Sequence, residues 1–183
     1  MKKIILGLVG SLASGKETTK NYLVKKYNAK DCRFSSILRD VLTRLTIPNS
    51  RENLQKLSTV MRENFGENLL AKVIANDASK LEADVVVIDG VRRFTDIEHL
   101  TKLPNFFLIK IDADPQIRYE RMKNRNENAG DNQKTFEEFI NDHNAEADSQ
   151  IPEVMKSAKY SIDNSDSFEN LYKQIDEIVS KLS

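Results

Sequence analysis

Gly10-Ser11-Leu12-Ala13-Ser14-Gly15-Lys16 is the stretch on which the reading of this chain turns. It fits the pattern G-x-x-x-x-G-K, and it stands where that pattern carries meaning, directly after the apolar run Ile4–Val9 and before a helical pattern over residues 18–27. A short apolar run ending in glycine reads as a parallel strand covered on both faces. Glycines at the two ends let the backbone wrap closely around an anion, so that successive N–H groups and the helix N-terminus point at a β-phosphate. Lys16 adds a full positive charge toward the β and γ oxygens. The expected ligand is a nucleoside triphosphate, taken as ATP, touched by Gly10, Ser11, Ala13, Ser14, Gly15 and Lys16 and by the residues that open the helix, Glu17, Thr18 and Thr19. A secretory signal peptide is the competing reading of the lysines and apolar residues at the start, and the loop accounts for the same residues better.

Outward from the loop, apolar runs alternate with helical patterns. Residues 30–34, 84–88 and 106–111 and Tyr160–Asp163 read as further strands, and residues 37–45, 50–81 and 95–103 and Pro115–Arg125 as helices. The expected fold is therefore α/β, with three layers: a five-stranded parallel sheet and helices on both faces. One domain spanning residues 1–183 is expected, with residues 35–80 as a helical insertion on the sheet. In the last helix Phe168, Leu171, Tyr172, Ile175, Ile178, Val179 and Leu182 recur at spacings of 3 and 4, an apolar stripe that reads as core packing. Asn49 with Glu52 gives one helix-start signal, and Asp114 before Pro115 another.

Composition narrows the class. Lys plus Arg and Asp plus Glu both total 28, so the net charge is zero and no broad nucleic-acid footprint is expected. With one cysteine and two histidines the 183-residue chain has neither a disulfide framework nor zinc-ligand spacing, and a reducing, cytoplasmic setting fits. No apolar stretch approaches the roughly 18 residues of a membrane span, so no membrane partner is expected. A monomer or a homodimer is expected.

Asp89 ends the Val-Val-Ile strand just before Gly90, and in open α/β sheets the carboxyl ends of strands are where ligands bind. A loop or N-cap carboxylate is the plainer alternative for it. Arg118, Arg121 and Arg125 fall on one helical stripe, where forked donors suit phosphate oxygens better than a solvated face requires. The ten arginines all lie between Arg33 and Arg125, which concentrates the phosphate-binding residue in the middle of the chain.

Taken together, these segments resemble the P-loop nucleoside monophosphate kinase superfamily, including its adenylate kinase-related, deoxynucleoside monophosphate kinase and dephospho-CoA kinase-like branches. The loop is similar to G-x-P-G-x-G-K-G-T, with Leu12, Ala13 and Glu17 as departures, and Asp89-Gly90-Val91-Arg92-Arg93 resembles D-G-F-P-R and D-G-V-R. The resemblance implies that Thr18 meets the α-phosphate and that Asp89 holds Mg²⁺ through water. It implies that Arg93 binds the transferring phosphate. Arg121 and Arg125 would guard the entrance of a short lid over residues 126–135, with Lys16 and Asp89 completing the catalytic set. Ser35, Ser36 and Arg39 look like an acceptor-binding segment, joined by Arg62, which would make the insertion over residues 35–80 the part that binds the acceptor, and Asn164 looks like the adenine-side turn. Beyond the lid, residues 136–148 offer only Asp142, His143 and Glu146 where relatives commonly return an arginine. The implied activity is transfer of the γ-phosphoryl group of ATP to a nucleoside or deoxynucleoside monophosphate. A dephospho-CoA kinase-like enzyme and a nucleotide-dependent ATPase or switch in complex assembly are the alternatives.

Overall fold

The computed structural model describes residues 3–125, 131–141 and 149–183. Five strands, β1 (Ile4–Val9), β2 (Lys30–Arg33), β3 (Val85–Asp89), β4 (Phe106–Asp112) and β5 (Tyr160–Asp163), form one sheet in the order β2-β3-β1-β4-β5. Every pair is parallel, with Gly7 opposite Ile88 on one side of β1 and Leu108 on the other. The helices are α1 (Lys16–Tyr27), α2 (Phe34–Arg44), α3 (Arg51–Phe65), α4 (Leu69–Lys80), α5 (Phe94–Ile97), α6 (Pro115–Arg125), α7 (Phe136–Asn141), α8 (Ile151–Lys156) and α9 (Phe168–Leu182).

Alternation along β1 builds two cores. Ile5 and Val9 face one side with Val86, Ile88 and Leu108, where Leu38 of α2, Leu70 and Ile74 of α4 and Val154 of α8 cover them. Ile4, Leu6 and Leu8 face the other with Val85, Val87 and Ile162, under Leu23 of α1 and Leu171, Ile175 and Val179 of α9. A strand buried on both faces has no polar side to present, which is why β1 and β3 read as continuous apolar runs. Each fully buried Leu or Ile contributes about 1.5–3 kcal/mol relative to exposure.

The differences from expectation have local causes. Residues 50–81 form two helices, because Gly66 at φ 104° ends α3 in a conformation a helix cannot continue through. Ser50, not Asn49, caps α3, its hydroxyl accepting from Asn53 N at 3.1 Å. Asp114 does cap α6, with its carboxylate accepting from Gln116 N at 2.8 Å. Phe34 leaves the second strand to open α2. The expected helix over residues 95–103 is a single turn, α5, followed by a 3₁₀ turn at Leu100–Lys102. Although α4 falls inside the expected acceptor insertion, it buries Leu70, Ala71, Ile74, Ala75 and Ala78 and belongs to the sheet's covering layer. Phe168 leaves the α9 stripe: it is exposed and stacks on Tyr172, which lies flat on Tyr22 of α1 at 4.0 Å between ring centres.

Candidate active site

Phosphate-loop residues follow β1 as expected, and the structure shows what holds their shape. Ala13 sits at φ 59° and Gly15 at φ 105°, two left-handed residues within three positions, which turns the chain back on itself and aims it into α1. A side chain at Gly10 would collide with the Ile111 carbonyl of β4, and one at Gly15 with the Asn164 side chain. Asn164 is itself 3% exposed; its Nδ2 donates to Ser14 O at 2.8 Å and its backbone N to Asp112 O at 2.7 Å. The turn after β5 thus clamps the loop from below, a role the adenine-side reading of Asn164 did not contain. No side chain caps the N-terminus of α1, so its first-turn N–H groups are left for an anion. Lys16 Nζ donates to Gly10 O at 2.6 Å and Ser11 O at 2.9 Å, its ammonium folded against its own loop. The buried hydroxyls of Ser14 and Thr19 have no hydrogen-bond partner, nor has the Asn164 side-chain oxygen. Buried orphan polar atoms are costly, and a ligand is one thing that satisfies them. Thr18 is half-buried on the same turn.

Beside the loop lies a charge network that the sequence did not reveal. Lys20, 3% exposed, reaches Glu17 Oε1 at 2.6 Å and Asp31 Oδ2 at 3.9 Å. Arg33 Nε stands 2.8 Å from Asp31 Oδ2 and 3.7 Å from Asp89 Oδ2, while its Nη2 is 3.3 Å from Glu17 Oε2. Burial, with the neighbouring charges of Asp89 and Glu17, pushes the Asp31 carboxyl up to about 6 even with Arg33 so close. Cys32 between them is driven up to about 11 by burial, which makes it an inert thiol.

The arginines divide by function. Arg118 is buried, donating from Nε to Ala113 O at 3.1 Å and from Nη1 to Leu12 O at 3.3 Å, with its guanidinium over the Phe139 ring at 5.4 Å. It props the phosphate loop from α6. Arg121, one turn on, has Nη1 buried without a partner, and burial lowers its pKa. Arg125 ends α6 exposed. Half of the expected lid, residues 126–130, and the later Asp142, His143 and Glu146 lie outside the described residues. Across the sheet, Asp96 (3% exposed) accepts from Arg92 N and Arg93 N, both at 3.0 Å, and from Arg62 Nη2 at 2.9 Å. Arg62 also donates to Glu67 O at 2.7 Å, so its guanidinium is committed to fastening α3 to the turn after β3. Arg93 is half-buried, 3.6 Å from Glu67. Arg39 is exposed and carries no bonded partner among the described residues. Ser35 and Ser36 lie in the first turn of α2 rather than in a preceding loop.

A family model described as an AAA domain matches residues 9–139. A UPF0200 protein of Pyrococcus abyssi is 33% identical over 98% of this chain and 97% of its own length. The chain belongs to the UPF0200 family and carries an AAA domain. A UPF0200 protein of Saccharolobus solfataricus is 28% identical over 98% of this chain and 94% of its own. Shikimate kinase from Bacteroides thetaiotaomicron superposes with a TM-score of 0.63 at 12% identity, covering 98% of both chains. At that identity the likeness is one of fold, and the fold is that of the P-loop kinases.

In this UPF0200 chain the donor chemistry around the loop fits a hydrated divalent cation. Asp89 and Glu17 bring hard carboxylate oxygens beside the phosphate loop, and a guanidinium already stands among them as a cation would. Among the described residues no group of three His, Cys, Asp or Glu is placed to chelate a metal directly. No described helix is long and apolar enough to cross a membrane. Sequence reasoning missed Lys20, Asp31 and Arg33 as a unit, because their partners come from three different elements. The alternation of opposite charges at Asp31 and Arg33, on one face of β2, was the available signal.

Proposed function

We propose that this UPF0200 protein is an ATP-dependent phosphotransferase that moves the γ-phosphoryl group to the phosphate of a nucleoside or deoxynucleoside monophosphate. The observation that carries this reading is the meeting of phosphate loop and strand-end acid: a single guanidinium, Arg33, touches both Glu17 on the loop's helix and Asp89 at the end of β3. Asp89 would therefore stand beside the phosphates that the loop binds. The loop's N–H groups and Lys16 would cradle the β- and γ-phosphates, with Lys16 turning from its own carbonyls to the ligand. Ser14 and Thr19 would spend their unpaired hydroxyls on the same ligand. Mg²⁺, held through water by Asp89, would supply neutralisation of charge on the phosphate oxygens.

On the acceptor side Arg39 and Arg93 would hold the monophosphate, and Arg62 would act by keeping Arg93's turn in place through Asp96. An oxygen of the acceptor phosphate would attack the γ-phosphorus while the bond to the β–γ bridging oxygen breaks, leaving ADP. Arg121 would steady the charge that builds on the transferring group. Catalysis would rest on position and electrostatics, with no covalent intermediate on the protein.

A coupled assay of ADP release across ribo- and deoxynucleoside monophosphates and dephospho-CoA tests the proposal. ADP formation should rise sharply with one monophosphate. Equal rates with and without every acceptor would replace the kinase with an ATPase or switch.

A further inference from the structure

Arg33 is placed oddly for a residue beside a cation site. It ends β2 in register with Asp89, and its guanidinium contacts Asp31, Asp89 and Glu17 at 2.8, 3.7 and 3.3 Å. We propose that Arg33 is a positioning residue that stands in for the divalent cation between Glu17 and Asp89, so that Mg²⁺ must displace its guanidinium to reach Asp89.

The inference rests on the reading of Asp89 as the residue that serves the metal. Two cations share these carboxylates, and they differ in freedom. Lys20 has 3% of its side chain exposed and is paired with Glu17 at 2.6 Å, so it is far less free to leave. Arg33 has 37% of its side chain exposed at an edge strand and can swing into solvent without opening the core. A guanidinium and a divalent ion cannot both occupy the neighbourhood of Asp89, since like charges about 4 Å apart repel strongly at the modest dielectric of a protein surface. With Lys20 fixed on Glu17, Arg33 is the cation whose departure restores the negative charge a metal needs. Its presence in the meantime offsets part of the repulsion among the three carboxylates. Metal binding is thereby made conditional on a phosphate ligand that can add its own negative charge to the contest.

The test measures metal binding to the nucleotide-free protein, with Mn²⁺ as the probe and electron paramagnetic resonance of the free ion as the readout. Arg33→Gln should bind Mn²⁺ at least roughly tenfold more tightly than the wild type. The gain should disappear in Arg33→Gln/Asp89→Asn. Arg33→Lys, which keeps the charge, should gain much less than the Gln variant, and it decides the matter alone against wild type should the Gln variant fail to fold. Wild-type affinity in Arg33→Gln, a gain that survives loss of the Asp89 charge, or an equal gain in Arg33→Lys would each overturn the proposal. Metal-free ATP binding is measured in parallel: its absence from the wild type would defeat the phosphate-loop reading while the Mn²⁺ comparison still judges Arg33.

Discussion

On the nucleotide side the phosphate loop is gripped by Asn164 from the turn after β5, by the close approach of Ile111 and by Arg118 from α6, all of them buried or nearly so. On the proposed acceptor side α3 has no buried residue at all; it leans on the core through the half-buried Leu54, Leu57 and Met61 and is tied down by the Arg62–Asp96 pair at 2.9 Å. Val60 and Phe65 of α3 and Leu45 and Ile47 before it are exposed. The difference teaches where rigidity is needed. A loop that presents N–H dipoles to a phosphate must be set before the ligand arrives, since preorganised donors cost no rearrangement during reaction. A helix held by few buried contacts opens at low free-energy cost, which would suit the proposed acceptor surface, where a substrate must enter and leave.

The sharpest way to break this comparison is at the rigid side. Lys16→Ala should lower kcat on the order of 100- to 1000-fold, the scale of one lost electrostatic donor, while the melting temperature stays near wild type because Lys16 belongs to neither hydrophobic core. Steady-state kinetics with calorimetry separates the two, and near-normal turnover would dismiss the loop assignment. Asn164→Ala acts on the support instead. Removing a buried donor leaves Ser14 O unpaired at a cost of roughly 1–3 kcal/mol, so the melting temperature should fall by several degrees and the KM for ATP rise. If stability falls with no change in the KM for ATP, the clamp does not serve the loop.

Legibility in the sequence follows the same division. The loop, all five strands to within a residue and the strand-end place of Asp89 could be read because each is a local pattern: a glycine spacing, an apolar run, a strand end. Tyr160–Asp163 and Pro115–Arg125 emerged with their bounds as expected. The roles of Arg62, Arg118, Asn164 and Arg33 could not be read, since a side chain's partner across 34, 106, 150 or 16 residues leaves no periodic trace. Arg118, Arg121 and Arg125 share a helical stripe, but only contact with Leu12 and Phe139 tells the structural arginine from the others.

A milder change tests the loose side. Arg39 is exposed and unpaired, so Arg39→Ala should leave stability within about 0.5 kcal/mol of wild type and raise the acceptor KM about tenfold, with ATP affinity unchanged. Loss of ATP affinity would mean that α2 belongs to the nucleotide side and that the boundary between the two regions is drawn in the wrong place.

The smallest effect is expected on β2, the strand that borders both regions, and it is a matter of pH. Asp31 has its carboxyl raised from 3.8 to about 6 by burial and by the charges of Asp89 and Glu17. In the unfolded chain it titrates near 3.9. The folded state therefore takes up this proton first as pH falls, and between about 6 and 4 the contribution of Asp31 to stability grows with acidity; above 6 its ionised form weighs against the fold. Asp31→Asn removes the charge but keeps the shape, so it should raise the melting temperature by a degree or two at pH 7.5, and the gain should shrink toward zero at pH 4.5. Differential scanning calorimetry of the two proteins at both pH values measures this. A variant that is less stable at pH 7.5 would show that the 2.8 Å contact with Arg33 outweighs burial and repulsion, and that β2 is held by its ion pair rather than strained by its charge.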